Sequence, residues 1–182
     1  MFLGPIEMEC WDCLPGFKVV RGMIGKELAD YLGFYSFNKA TLPDAVPTKE
    51  THGFVDDQIP NTPAWHDDFA MKNLMCYLLS DMESHTETKL VPTYSYLRVY
   101  KNGDELKKHI DQNKCEFSVT LTLMREEGDD IWPIFLETDQ KYQVDLDAGD
   151  GLIYRGMDNP HWRDRFEGER LAQVFLHYVR RQ

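Results

Sequence analysis

Apolar residues recur at helical steps early in the chain and at alternate positions later. Ile24, Leu28, Tyr31, Leu32 and Tyr35 are spaced by three or four, which predicts an amphipathic helix beginning near Met23 with that stripe against a sheet. Pro43, Pro47, Pro60 and Pro63 then interrupt a polar stretch between Ala40 and Ala64, a pattern hostile to helix and ladder alike, so a long loop is expected. Thr62 before Pro63 resembles an N-cap and a first-turn proline. Phe69, Leu74, Tyr77, Leu78 and Met82 then continue a second helix to about His85.

From Leu90 onward, short β-branched and aromatic runs separated by Gly, Asp, Asn and Pro replace the helical period. The runs are Thr93 to Tyr100, Glu116 to Met124, Ile131 to Leu136, Gln143 to Asp147, Gly151 to Tyr154 and Arg170 to Val179. In the second, Phe117, Val119, Leu121 and Leu123 alternate with Glu116, Ser118, Thr120 and Thr122, the signature of a half-buried strand. Helices first and strands after predict an α+β fold. The expectation is a single domain over 1–182, with helical support and loop over about 1–89 bracing a barrel-like double sheet over about 90–182.

Composition narrows the function. Apolar residues make up 42% and aromatics 13% of 182 residues, a globular balance. A net charge of -11 disfavours phosphate backbones and anionic lipid, so nucleic acid is an unpromising substrate. No basic leader and no uninterrupted apolar run of membrane length occurs. The four cysteines are too sparse for a disulfide scaffold, and reduced thiols in a cytoplasmic protein are expected.

His109 and Asp111 stand two apart in KKHIDQ at the edge of a strand region, so both side chains would project from one face of an extended segment. Such a pair arises often by chance, and its chemistry depends on a third ligand. His161 in NPHWRD, after the turn-rich GMDNP, lies where a barrel could return it to the pair. Two imidazoles and one carboxylate form a facial triad that leaves three positions of an iron ion open.

The stretch from Tyr94 to Val179 resembles the catalytic core of the iron(II) and 2-oxoglutarate oxygenases, in the branch of the prolyl 4-hydroxylases and PKHD-type hydroxylases. YKNGDELKKHID supplies that branch's Tyr-x-x-Gly element as Tyr100 and Gly103 ahead of His109 and Asp111. DAGDGLIY matches its strand entered through a Gly-Asp turn, and FEGER supplies a Gly-x-Arg as Gly168 and Arg170. The resemblance implies a double-stranded β-helix, a jelly-roll of the cupin kind, with His109, Asp111 and His161 as both catalytic residues and metal ligands. It also implies Fe(II), 2-oxoglutarate and O2 as cofactor and co-substrates, with ascorbate as a candidate reductant. Hydroxylation of an unactivated C–H bond follows, with succinate and carbon dioxide as by-products. Because Asp111 fills the carboxylate position, no halide site is left, and hydroxylation is favoured over halogenation.

The chain departs from that branch by one residue between His161 and Gly168. Arg170, kept by the Gly-x-Arg register, is the expected partner of the C5 carboxylate of 2-oxoglutarate, since a guanidinium matches a carboxylate in a two-point fork. It shares a strand face with Ala172, Val174 and Leu176 and is expected to point inward with that apolar row. Arg163, two residues past His161, is the rival anchor, and Arg98 is a third. Tyr100 is either a hydroxyl donor to the co-substrate or a core aromatic.

Other candidates read more plainly. Cys10 and Cys13 form a C-x-x-C without two further zinc ligands at workable spacing, and Cys76 and Cys115 stand alone. His52, His66 and His85 suit surface or cap positions, and His177, on the face opposite Arg170, suits packing. The loop from Ala40 to Ala64 carries Phe54 and Ile59, with Trp65 just beyond, and is either a lid or a surface excursion. The substrate class stays open between a protein or peptide side chain, prolyl first by resemblance, and a free amino acid or other small molecule. A non-catalytic jelly-roll binding protein is the reading from another class.

Overall fold

The computed structural model describes residues 16–41, 53–60 and 62–182. Among the described residues, ten strands form two antiparallel sheets. The six-stranded sheet has the order β1 (Phe17–Val20), β8 (Gly151–Tyr154), β5 (Phe117–Arg125), β10 (Arg170–Arg180), β3 (Leu90–Lys101) and β2 (Ala64–His66). The four-stranded sheet has the order β4 (Leu106–His109), β9 (His161–Arg163), β6 (Ile134–Glu137) and β7 (Lys141–Val144). Helices α1 (Lys26–Thr41), α2 (Phe69–Tyr77) and α3 (Leu79–Thr86) lie against the larger sheet, α1 on β5 and the other two on β3. No helix among the described residues is long and apolar enough to cross a membrane.

The helices are where expected, but their buried faces differ from the predicted stripes. In α1 the buried residues are Ala29, Leu32, Gly33, Ser36 and Phe37, while Tyr31 and Leu28 face outward. The cause is close approach. A Cβ on Gly33 would lie 2.2 Å from the Cβ of Met124, so the absence of a side chain at this position lets α1 settle onto β5. The second predicted helix is two helices, broken at Leu78, and it starts at Asp68 rather than Thr62. The Asp68 carboxylate accepts from the backbone N–H groups of Ala70 and Met71 at 3.0 and 3.2 Å, the work of an N-cap. Thr62 instead donates to Asp104, and the segment after it runs as β2.

Strand β5 is buried on both faces, not half-buried. Its apolar row, Val119, Leu121 and Leu123, joins Leu97, Val99, Ala172, Val174 and Leu176 in the core under the helices. The alternate row carries Ser118, Thr120 and Thr122, all buried, and in register with Tyr154, Leu152, Gln173, Phe175 and His177 on neighbouring strands. This second face looks toward the smaller sheet. A second core of Phe17, Ile134, Leu136, Val144, Leu146, Leu152 and Tyr154 fills one end of the space between the sheets. Ile59, Tyr100, Leu106, Trp132, Phe166 and Leu171 form a third cluster. Buried polar side chains on an inner face cost free energy unless partnered, and here Gln173 accepts from Thr122 at 3.1 Å and donates to Thr120 at 2.6 Å.

Candidate metal centre

His109 and His161 face each other across the β4–β9 ladder, so their imidazoles are cross-strand neighbours with ring centroids 4.3 Å apart. Asp111, two residues beyond, is turned toward them by its backbone N–H, which donates to the carbonyl of Gly156 at 2.8 Å. One ligand atom from each of the three comes within 4.8 Å of the others. Asp111 Oδ1 lies 3.7 Å from His109 Nε2 and 3.5 Å from His161 Nε2. Carbonyls fix the tautomers. His109 Nδ1 lies 2.8 Å from the oxygen of Lys107 and His161 Nδ1 lies 2.9 Å from that of Asn159, and a carbonyl can only accept. Each Nδ1 therefore carries a proton, which leaves Nε2 as the nitrogen each imidazole can offer to a metal.

The electrostatics suit a cation. Burial pushes the Asp111 carboxyl up, but His161, then His177 and the Ser118 hydroxyl, hold it at about 2, so it is ionised. Burial, reinforced by His161, lowers His109 and favours its neutral, ligating form. Gly156 closes the site from behind. A Cβ there would lie 2.2 Å from Asp111 Oδ2, so the carboxylate occupies space that only glycine leaves free.

Next to the three residues are groups whose role sequence reasoning missed. Ser118 Oγ donates to Asp111 Oδ2 at 3.0 Å and lies 2.9 Å from His177 Nδ1. Tyr154 places its hydroxyl 3.4 Å from His161 Nε2. Cys115 lies beside Asp111 and His177, with its thiol 3.0 Å from the Tyr94 hydroxyl. The signal was the polar half of the β5 alternation, Ser118 to Thr122, read as solvent-facing.

Arg170 is not inward-facing. The row it shares with Ala172, Val174 and Leu176 looks toward the helices, and its guanidinium lies over the Phe37 ring and pairs with Glu126 at 2.5 Å. The alternation was right and the face was wrong, because both faces of β10 are buried. Arg163 is the inward arginine. It is 1% exposed, packs over Trp132, and donates through Nη1 to the Trp132 carbonyl, while Nε and Nη2 have no partner among the described residues. Burial lowers its pKa to about 10, partly offset by Tyr100 and Tyr154, so it is charged at neutral pH. Tyr100 is buried beside it, edge-on to Trp132. Arg98, also buried, donates to Asp56 at 2.5 Å and to the Tyr96 hydroxyl at 3.0 Å, leaving Nη1 without a partner among the described residues.

Of the loop residues, Ile59 packs with Tyr100 and Leu106, and Phe54 bridges to Ala64, whereas Trp65 belongs to β2 and is committed to the core under the helices. His66 stacks on Tyr94 and His85 lies in α3. Cys76 is exposed. Cys10, Cys13 and His52 lie outside the described residues.

Solved structures share this architecture over nearly the whole chain. A Pseudomonas putida prolyl-4-hydroxylase superposes with a TM-score of 0.68 at 13% identity, covering 92% of this chain and 94% of that one. The chain has the fold of the 2OG-Fe(II) oxygenases. HygX from Streptomyces hygroscopicus, solved with nickel and 2-oxoglutarate, shares the oxygenase fold with a TM-score of 0.66 at 15% identity, covering 93% and 84% of the two chains. The non-heme alpha ketoglutarate dependent epimerase SnoN from nogalamycin biosynthesis does so at 0.67 and 14%, covering 91% and 76%. No family model and no curated protein matches the sequence.

Proposed function

We propose that the chain is a non-haem iron(II), 2-oxoglutarate-dependent dioxygenase that hydroxylates an unactivated C–H bond. In this reading the two sheets are the halves of a double-stranded β-helix, and His109, Asp111 and His161 hold the metal. The observation that carries it is the convergence of two imidazole Nε2 atoms and one carboxylate beside a buried arginine with two N–H groups unpartnered among the described residues. The donor set fits iron: two nitrogens and one oxygen on one face leave the opposite positions open. The arginine fits the co-substrate, because an anion of matching shape would satisfy Nε and Nη2 together.

Arg163 is therefore the proposed anchor for the C5 carboxylate of 2-oxoglutarate, replacing Arg170. At the position ten residues past His161, where the family's basic side chain is expected, this chain has Leu171, which is buried in the same cluster as Tyr100. The anchor has moved from β10 to β9. Arg163 would orient the co-substrate and Tyr100 would wall it, with Trp132 and Ile59 excluding water. Fe(II) bound at the triad, with 2-oxoglutarate and O2, would supply an oxidant able to attack a C–H bond. The chain's own task is to present three ligand atoms in fixed tautomers and to keep the pocket dry.

The proposed substrate is a protein or peptide side chain, with a small molecule as the rival. Structures sharing the fold include a Trichoplax adhaerens prolyl hydroxylase in complex with a hypoxia inducible factor peptide fragment and HygX with hygromycin B. Succinate formation followed by mass spectrometry against peptide and small-molecule panels tests the reading. Succinate release that depends on substrate and on Fe(II) supports it; no turnover of 2-oxoglutarate under any condition would overturn it.

A further inference from the structure

The two oxygens of Asp111 are treated differently by their surroundings. Oδ1 faces both histidine Nε2 atoms, at 3.7 and 3.5 Å. Oδ2 takes the hydroxyl of Ser118 at 3.0 Å. A carboxylate only accepts and a hydroxyl has one hydrogen, so with that hydrogen committed to Asp111, Ser118 accepts from His177 Nδ1–H at 2.9 Å. The chain of donors runs from His177 through Ser118 to Asp111. It is held rigidly: Ser118 and His177 are register partners across β5 and β10, and both are buried.

Metal-binding carboxylates ligate through one oxygen or through both. A second oxygen from Asp111 would take one of the three positions that the triad leaves open, and a co-substrate chelating through two atoms would then compete with it. We propose that Ser118, oriented by His177, is a positioning residue that keeps Asp111 a one-oxygen ligand and so keeps the co-substrate's positions free. His177 is thereby part of the site rather than a packing histidine. The inference rests on the triad reading above. It adds that the strand pair β5–β10, which supplies no ligand, determines how many positions the triad leaves open.

Cobalt(II) in place of iron, without O2, gives a readout that does not depend on turnover. Ser118→Ala, Ser118→Thr and His177→Asn are compared with the parent for Co(II) affinity, visible and near-ultraviolet spectrum, and calorimetric 2-oxoglutarate binding at equal Co(II) loading. Ser118→Ala should bind 2-oxoglutarate about 10-fold more weakly, the lower end of what outer partners of metal ligands contribute. Its Co(II) affinity should fall less, since the freed oxygen adds a bond. Ser118→Thr keeps the hydroxyl and should restore most of the loss. His177→Asn, which keeps a hydrogen-bonding amide near the Nδ1 position, should lie between the parent and Ser118→Ala.

Equal 2-oxoglutarate affinity in Ser118→Ala and the parent would overturn the proposal. So would a threonine variant as weak as the alanine one, which would point to packing. Cys115 supplies the check on the underlying reading, because its thiol, Asp111 and His177 also bring ligand atoms within 4.8 Å of one another. A thiolate-to-cobalt band in the parent would place the metal in that second set and overturn the triad and this inference together.

Discussion

Replacing Arg163 should weaken co-substrate binding and, in the same variant, strengthen the empty fold. The guanidinium is 1% exposed and leaves Nε and Nη2 without partners among the described residues. Arg163→Lys keeps the charge but loses one of two parallel bonds to a carboxylate. At about 1.5–3 kcal/mol for a charge-assisted hydrogen bond, 2-oxoglutarate affinity should fall roughly 10- to 150-fold. Arg163→Met strands the carboxylate in a dry pocket, which costs about 3–5 kcal/mol, roughly 10²- to 10⁴-fold. Without ligand the sign reverses. Each buried unsatisfied donor costs about 1–3 kcal/mol, so the methionine variant should melt higher, by about 2–4 °C per kcal/mol regained. Arg170→Met removes a half-exposed pair with Glu126 worth about 0–1 kcal/mol and should leave 2-oxoglutarate binding unchanged. Calorimetry on Mn(II)-loaded protein without O2, paired with thermal melts of the metal-free form, reads both effects. If Arg170→Met loses 2-oxoglutarate while Arg163→Met keeps it, the anchor lies on β10 and the reasoning from unpartnered donors is wrong.

Three other perturbations follow from the packing. Gly156→Ala places a methyl group 2.2 Å from Asp111 Oδ2 and should reduce Co(II) affinity by about 10- to 100-fold in a protein that still folds; unchanged affinity would show that Asp111 is not held there. Gly33→Ala drives a Cβ to 2.2 Å from that of Met124 and should destabilise by about 1–3 kcal/mol in urea titration without altering metal binding. For Asp56, burial pushes the carboxyl up, but hydrogen bonds from Tyr96 and the Ile59 N–H, together with Arg98, hold it below the usual range. A depressed folded-state pKa stabilises above the unfolded value of about 4, and that contribution is lost as pH falls through the folded value. Asp56→Asn should therefore melt lower than the parent at pH 7, with the two curves converging below pH 4; a constant gap across that range would exclude the linkage.

How much was legible in the sequence depended on whether a residue's neighbours lay along the chain or across it. His109, Asp111 and His161, which the structure brings together, were picked out by spacing and resemblance, and the strands β3, β5, β8 and β10 by their β-branched and aromatic runs. β9 was not, since three residues carry no period; β2 is equally short and β1 only one residue longer. Alternation correctly paired Arg170 with the row Ala172, Val174 and Leu176. It could not say which face was inner, because helices cover one side of β10 and the smaller sheet the other. Ser118 and His177 looked like surface and packing residues for the same reason. Their meaning appears only when β5 and β10 are placed side by side and the polar row meets Asp111. In α1, hydrophobicity pointed to Tyr31 and Leu28, whereas close packing selected Gly33 and Ser36.

The central claim is that His109, Asp111 and His161 together hold iron in a form that accepts 2-oxoglutarate. Adding Fe(II) and 2-oxoglutarate without O2 to the parent should give the visible charge-transfer absorption of an iron–keto-acid chelate. His109→Ala, Asp111→Ala and His161→Ala should each abolish it. A parent that gives no such band at saturating Fe(II) and 2-oxoglutarate, or a His161→Ala protein that keeps it at full strength, would contradict the account.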